Sequence, residues 1–158
     1  MELQRKGFIA DSMLGRLAKW LRVMGYDTHY QPYYNEGVIA TLIHDGRLLL
    51  SRHRPAIDMY PDSLLILSDK VQGQLEEMKE HGCLALDNAG WFSRCLICNT
   101  LLQEASLEDA RAKIPEYVLY QNIAAGLRFC ASCGRFFWPG SHRKRMTAQL
   151  EEWGFRYD

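Results

Sequence analysis

The chain has 158 residues, a length that corresponds to one domain or to one domain with a small additional module. Hydrophobic residues make up 47% and charged residues 24%, which is typical of a folded globular protein and excludes disordered and fibrous classes. Nineteen basic side chains balance nineteen acidic ones, which excludes a uniformly cationic nucleic-acid-binding protein but allows a local basic patch.

The first part of the chain alternates short apolar runs with segments of helical periodicity. Apolar runs predict strands, and three- or four-residue spacing of apolar side chains predicts helices. Strands are predicted at 7–10, 28–31, 48–51 and 64–67, and helices at 12–24, 38–44 and 70–81. Because strands and helices alternate, we expect an α/β fold in which helices flank a parallel sheet.

Polar side chains follow the ends of these strands, where an open parallel sheet binds its ligands. Asp11 follows the first strand, His53 the third and Asp69 the fourth. Glu36 opens the second helix and is expected near the same edge. Converging carboxylates would form an oxygen-rich pocket for Mg²⁺ or Mn²⁺, ions that activate water and neutralise a phosphodiester transition state. The four residues are therefore candidate catalytic residues.

Each candidate also has a purely structural interpretation. Asp11 and Asp69 precede predicted helices and would serve equally well as N-caps. Glu36 would simply be solvated in a polar loop. His53 would be a metal ligand, a proton shuttle near neutral pH or, by default, a solvated loop residue. The shared position at strand ends, more than the residue types, favours the catalytic interpretation.

Basic residues recur at three-residue steps along the first predicted helix. Arg16, Lys19 and Arg22 form this stripe, and no acidic residue occurs between Asp11 and Asp27. A solvated face explains such a stripe, and so does a surface that follows a nucleic-acid backbone. We include Arg52, beside His53, among the candidate contacts to nucleic acid.

Composition divides the chain near residues 88–91. Residues 1–90 carry a net charge of −2 and one cysteine, whereas residues 91–158 carry +2 and four cysteines. We therefore predict an α/β domain over 1–90 and a smaller module over 91–158.

The strongest motif in the smaller module is a pair of C-x-x-C sequences. Cys95 and Cys98 form the first, Cys130 and Cys133 the second, with thirty-one residues between them. Two such pairs on tight turns can close a tetrahedral four-thiolate Zn²⁺ site of the structural kind. A redox-active pair is the alternative, although one motif would suffice for it. We predict a structural zinc ribbon.

Basic and aromatic residues are interleaved in 117–150, a segment without acidic side chains. The basic residues are Arg128, Arg135, His142, Arg143, Lys144 and Arg145, and the aromatic residues are Phe129, Phe136, Phe137 and Trp138. This pattern suits single-stranded nucleic acid, whose phosphates pair with cations and whose bases stack on rings. The alternative is that the aromatic residues form the core of the ribbon.

A helix is predicted from an N-cap at Ser141 through Trp153. Residues 142–145 place positive charge in its first turn, against the helix dipole. This placement indicates an anion or a neighbouring carboxylate at the helix start.

Hydropathy and cysteine usage indicate the environment of the protein. Apolar stretches are far shorter than the roughly 18 residues that span a membrane. Residues 1–6 lack the apolar segment of a secretion signal. Paired cysteines in such a chain indicate metal binding in a reducing compartment. We expect a cytoplasmic protein without membrane contact.

Together these motifs resemble the Mut-seven C-terminal RNase domain family, described as a PIN-like nuclease fold followed by a zinc ribbon. The likeness covers about residues 7–146. It is carried by 8–11, 13–18, 20–22, 25–28, 46–47, 49–52, 74–75, 93–95, Cys130, 133–134, Trp138, 140–142 and Met146.

The resemblance implies metal-dependent cleavage of RNA by acidic residues at the sheet edge. Asp11 matches the first acid of the family and Asp69 an acidic position after the fourth strand. Glu36 falls where the family tends to have an acidic pair. The family's Thr-Arg-Asp at the end of the third strand reads Ser51, Arg52 and His53 here. The substitution removes one carboxylate, and although an imidazole can bind Mn²⁺, Mg²⁺ prefers oxygen.

Three functional hypotheses follow. The first is a PIN-like endoribonuclease dependent on Mg²⁺ or Mn²⁺, whose zinc ribbon helps to bind single-stranded RNA. The second is a degenerate nuclease that only binds RNA, with His53 as its main support. The third is a protein-interaction module whose ribbon docks a partner.

Overall fold

A computed structural model describes residues 7–86, 88–119 and 126–156. Its first sheet contains four parallel strands in the order β2-β1-β3-β4. They are β1 (Gly7–Ala10), β2 (Thr28–Tyr30), β3 (Arg47–Ser51) and β4 (Ser63–Leu65). Ala10 of β1 is in register with Tyr30 of β2 and Leu50 of β3, so the carboxyl ends of the strands share one edge.

Helices cover both faces of this sheet. They are α1 (Gly15–Val23), α2 (Val38–His44), α3 (Arg54–Met59) and α4 (Val71–Glu80). Phe8 and Leu50 pack in a core with α1 and α4, whereas the fully buried Ile9 and Leu49 lie outside that core. Successive strand residues point to opposite faces, and α2 and α3 contact the second face. The predicted α/β fold with a helix-flanked parallel sheet is confirmed.

Two predicted boundaries were displaced by local hydrogen bonds. The helix predicted at 12–24 begins only at Gly15, because the Met13 N–H binds Asp11 Oδ1 and the Leu14 N–H binds the Asp11 carbonyl in a turn. The last predicted strand ends at Leu65, because Glu77 of α4 accepts the N–H groups of Leu67 and Ser68. Helix α3 directly follows His53 and was not predicted.

The second half forms an antiparallel sheet of short strands. They are β5 (Gln103–Glu104), β6 (Arg128–Phe129) and β7 (Phe136–Phe137), in that order across the sheet. Two short helices, α5 (Leu107–Ala110) and α6 (Glu116–Leu119), lie between β5 and β6 in the chain. Ala110, Ile114, Val118 and Leu127 form a small core of their own.

The last helix, α7 (Ser141–Glu152), belongs structurally to the first half of the molecule. Met146, Leu150 and Phe155 are buried in the same core as α1 and α4. Trp153 meets Trp20 edge to face at a centroid distance of 5.0 Å. The division into 1–90 and 91–158 remains a prediction, and the packing of α7 couples the two segments.

Gly140, not Ser141, is the N-cap of α7, and it makes no side-chain capping bond. The prediction that Ser141 caps the helix was wrong, because Ser141 is already its first helical residue. In the described part of the chain, no helix has the length and apolar character required to cross a membrane.

Candidate functional site

Asp11 lies at the carboxyl edge of the sheet and is held in place by β3. Ser51, buried at the end of β3, donates its hydroxyl to Asp11 Oδ2 at 2.5 Å. The same Ser51 oxygen accepts the N–H of His53 at 3.0 Å. The N-cap of α1 is Leu14, so the interpretation of Asp11 as an N-cap was wrong. The carboxylate is instead an oriented, half-exposed group at the strand ends.

Two tyrosines that the sequence did not single out complete this edge. The Tyr34 hydroxyl donates to the Ala10 carbonyl at 2.8 Å, and the Tyr30 hydroxyl donates to the Ser12 carbonyl at 3.1 Å. Burial, together with the nearby charge of Asp11, raises the pKa of Tyr34 to about 12. Tyr34 therefore stays protonated and fixes the backbone just before Asp11. In the sequence, only the position of Tyr34 shortly after the second predicted strand could have indicated this role.

The other predicted acids are exposed, and the structure does not gather them at metal-ligand spacing. Glu36 precedes α2, and Asp69 lies in the loop before α4, whose N-cap is Lys70. Asp69 is therefore not an N-cap either. Across 7–86, 88–119 and 126–156, no three of the predicted edge residues have ligand atoms within 4.8 Å of one another. His53 is likewise exposed. The expected convergence of three carboxylates on one cation is not observed.

The four predicted cysteines do form such a group. The Sγ atoms of Cys95, Cys98, Cys130 and Cys133 all lie within 4.8 Å of one another. Cys95 Sγ and Cys133 Sγ are 3.8 Å apart. Tetrahedral zinc with Zn–S bonds of about 2.3 Å requires sulfur atoms roughly 3.8 Å apart, so the donors and their spacing fit Zn²⁺.

Two tight turns, residues 95–99 and 130–134, create this group, and we call them the first and second knuckles. In the first, Asn99 has a positive φ of 66° and its N–H binds the Cys95 carbonyl. In the second, Gly134 has a φ of 77° and its N–H binds the Cys130 carbonyl. Both positions have the left-handed backbone conformation, which Gly and Asn adopt more readily than other residues.

Arg135 offsets negative charge at the second knuckle. The Arg135 backbone N–H, followed by its side chain, lowers the pKa of the Cys133 thiol to about 6. A hydrogen bond with Cys133 raises the pKa of Cys98. This location associates Arg135, a predicted nucleic-acid contact, with the cysteine cluster.

Arg22 fastens the first knuckle to the α/β domain. Its Nη1 atom donates to the carbonyls of Leu96 and Ile97 at 3.0 and 3.1 Å, and its Nε atom donates to the Thr28 carbonyl at 3.1 Å. The side chain is only 7% exposed, and burial lowers its pKa. Arg22 is therefore not part of an exposed basic stripe, whereas Arg16 and Lys19 are exposed as predicted.

Asn99 extends the same junction. Its Oδ1 accepts the Thr28 N–H at 2.9 Å, and its Nδ2 donates to Asp27 Oδ1 at 2.7 Å. Arg47 Nη1 also donates to Asp27 Oδ1, at 2.8 Å. Burial raises the pKa of Asp27, but the hydrogen bonds from Arg47 and Asn99 outweigh it and leave the pKa below its usual value. The first knuckle thus lies where β2 and β3 begin, at the edge opposite Asp11.

A groove of about 310 Å³ lies between the antiparallel sheet and the start of α7, and we call it the ribbon groove. Its aromatic lining consists of Phe92, Tyr117, Phe136, Phe137 and Trp138. Phe136 and Trp138 also pack on the small core of this half. The ribbon-core interpretation is thus confirmed for Phe136 and Trp138, which also border the ribbon groove, and stacking of bases on these rings stays a prediction.

Basic side chains line the ribbon groove as well. Arg128, His142 and Arg143 were predicted, and Arg94 was not. Arg143 stacks on the Phe92 ring, with its guanidinium carbon 4.7 Å from the ring centroid.

The remaining predicted contacts lie elsewhere. Lys144 and Arg145 are exposed on α7 outside the ribbon groove. Arg52 is exposed at the sheet edge, where its Nη2 atom donates to the Leu67 carbonyl at 3.3 Å.

Comparison with known proteins adds one finding to this geometry. The family model described as Mut7-C RNAse domain matches residues 6–150, nearly the whole chain. No match was found among curated proteins or among solved structures. The matched segment includes the strand-end residues, both knuckles and most of α7. The chain therefore belongs to the Mut7-C RNAse domain family.

Proposed function

We propose that the protein is a ribonuclease that hydrolyses phosphodiester bonds of RNA at the carboxyl edge of the parallel sheet, with the zinc ribbon helping to bind the strand. Family membership carries this proposal. It is supported by Asp11, whose carboxylate is oriented by Ser51 at the position where open parallel sheets bind ligands.

The roles of the edge residues follow from their surroundings. Ser51 and the N–H of Met13 bind the two oxygens of Asp11, which fixes the orientation of the carboxylate at the strand ends. Arg52 and His53 are exposed beside it and are placed to contact a phosphate. Glu36 and Asp69 remain candidates as exposed acids of neighbouring loops.

A divalent ion, Mg²⁺ or Mn²⁺, is part of the proposal as a cofactor that would neutralise charge on the phosphate. The described residues do not form a three-ligand site for it at the sheet edge. Mg²⁺ is often held by only one or two carboxylates together with substrate phosphates. We therefore propose that RNA would supply part of the coordination of this ion.

The decisive experiment compares Asp11→Asn with Asp45→Asn, a matched loss of one carboxylate. Asp45 is exposed and lies before β3, at the opposite edge of the sheet. Cleavage of a labelled single-stranded RNA is followed with and without Mn²⁺ or Mg²⁺. We expect metal-dependent cleavage that Asp11→Asn lowers at least a hundredfold and Asp45→Asn leaves intact. Equal activity of the two variants, or no cleavage by the folded protein with either metal, would refute the proposal.

His53 favours a second candidate function, RNA binding without cleavage. A histidine stands where the resemblance implies a carboxylate, and the remaining acids do not form a three-ligand group. This candidate predicts salt-dependent RNA binding without turnover. It also predicts that His53→Asp creates or sharply increases metal-dependent cleavage. A natural protein more active than His53→Asp contradicts it.

A further inference from the structure

The ribbon groove carries positive charge that the described chain does not neutralise. Arg128 and Arg143 both line it, and the charge of Arg128, after burial, lowers the pKa of Arg143. Among the described residues the only ion pair is Arg47 with Asp27, at the other side of the first knuckle. Two guanidinium groups that repel each other, and that have no acidic partner in the described part of the chain, are complementary to an anion from outside.

The same groove offers flat aromatic surface beside this charge. Tyr117, which lines the groove, is 68% exposed, so its ring is accessible from solvent. Arg143, stacked on Phe92, presents a second planar surface. Bases of single strands stack on such rings and on guanidinium planes. The volume of about 310 Å³ is at the lower end of the range for small-ligand sites, which suits a single unit of a polymer.

We infer that the ribbon groove holds one unstacked nucleotide of a single-stranded RNA, with its base against the aromatic lining and its phosphate between Arg128 and Arg143. This inference rests on the proposed function for the identity of the polymer. It names the part of the ribbon that binds RNA. It also separates Arg128 and Arg143 from Lys144 and Arg145, which lie outside the groove.

The groove and the proposed cleavage site lie at opposite ends of α1. Phe92 binds the carbonyl of Val23, the last residue of α1, and Arg94 binds the carbonyl of Gly25 just beyond it, whereas Asp11 precedes the start of the helix. Nine helical residues correspond to about 13 Å. The groove is therefore remote from the proposed cleavage site, and only strands long enough to reach both ends of the helix can occupy the two sites at once.

Binding is measured by fluorescence anisotropy with a labelled oligouridine of about twelve nucleotides, within the usual site size of single-strand binders. The zinc-loaded full chain is titrated at several salt concentrations without added Mg²⁺ or Mn²⁺. Arg128→Gln and Arg143→Gln should each weaken binding and reduce the slope of log K against log salt by about 0.7. Tyr117→Ala should weaken binding about tenfold and leave the slope unchanged. Arg156→Gln, an exposed arginine outside the groove, is the matched control and should change neither quantity.

The inference is overturned if folded, zinc-loaded Arg143→Gln and Tyr117→Ala bind as the natural protein does. It is also overturned if Arg156→Gln is as damaging as Arg143→Gln. Absence of any RNA affinity overturns it too, and is the result expected if an acidic protein segment occupies the groove.

The test separates this inference from the proposed function. Asp11→Asn should abolish cleavage while its affinity for the oligouridine stays unchanged. If the protein binds RNA through the groove but cleaves no RNA, the ribonuclease proposal is refuted and the inference about the groove is retained. If the protein cleaves long strands equally well with and without Arg128→Gln and Arg143→Gln, the inference about the groove is refuted and the ribonuclease proposal is retained.

Discussion

Replacement of Arg22 tests whether the first knuckle and the α/β domain are one structural unit. Arg22→Met keeps the apolar stem of the side chain but removes the donors that bind the carbonyls of Leu96, Ile97 and Thr28. Hydrogen bonds to a charged donor contribute about 1.5–3 kcal/mol each, and a buried acceptor left without a partner costs about 1–3 kcal/mol. The cost of burying the charged guanidinium offsets part of the stabilisation by these hydrogen bonds. We expect a net loss of about 3 kcal/mol in the free energy of unfolding.

The assay is chemical and thermal unfolding of the zinc-loaded protein. For a chain of this size, a loss of about 3 kcal/mol lowers Tm by roughly 6–12 °C. Arg16→Met is the matched control, because Arg16 lies on the same helix and is exposed. It should change the free energy of unfolding by less than about 0.5 kcal/mol. The Arg22→Met protein should also release zinc to a chelator faster. If both variants unfold alike, the hydrogen bonds of Arg22 do not hold the junction together.

Three further predictions follow from the same structure. Cys98→Ser should reduce bound zinc from one ion per chain, measured by elemental analysis, and lower Tm, because structural zinc contributes on the order of 10 kcal/mol to folding in small modules. Leu150→Ala should cost about 2–5 kcal/mol in chemical unfolding if α7 completes the core of the α/β domain, whereas Ala148→Gly on the exposed side of α7 should cost only about 1 kcal/mol. Asp27 has a lowered pKa when folded, so its contribution to the free energy of unfolding is present above the ordinary Asp pKa of 3.8 and is lost as the pH falls through its folded pKa. Asp27→Asn should therefore be less stable than the natural protein near neutral pH and show a smaller loss of stability between about pH 5 and 2, and parallel pH profiles would contradict this role.

The position of the knuckles relative to the sheet predicts that zinc bound by the four cysteines would stabilise more than the ribbon. Asn99 follows a zinc-site cysteine directly, and its side chain binds both the start of β2 and Asp27. Distortion of the first knuckle therefore also removes hydrogen bonds from the sheet. We expect loss of metal to destabilise the α/β domain together with the ribbon, which unfolding monitored separately in the two halves would reveal as one shared transition.

Much of the local structure follows from the sequence alone. Apolar runs and helical periodicity predicted every strand of the parallel sheet and three of its four helices, because burial on both faces leaves a continuous apolar signature. Helix α3 was missed because it is only six residues long and has a proline in its first turn, which is too little sequence for a helical apolar repeat. The metal-ligand group was predicted by the spacing of its four cysteines, Cys95, Cys98, Cys130 and Cys133. Each pair requires only a local turn, and each turn ends in a residue that tolerates a positive φ, Asn99 or Gly134.

Relations across the chain were decided only by the tertiary structure. Arg16 and Arg22 look equivalent in the sequence, yet one is exposed and the other is buried against carbonyls of residues more than seventy positions away. Likewise, the positions of Asp11, Glu36 and Asp69 near strand ends predicted that they share one edge of the sheet. The distances between them depend on the conformations of the loops that carry them, and no local sequence pattern determines those conformations. The orientation of Asp11 by Ser51 and the pairing of Arg128 with Arg143 in one groove depend on packing between distant segments. Local propensity determines which elements form, whereas the side chains that meet are determined by how those elements pack.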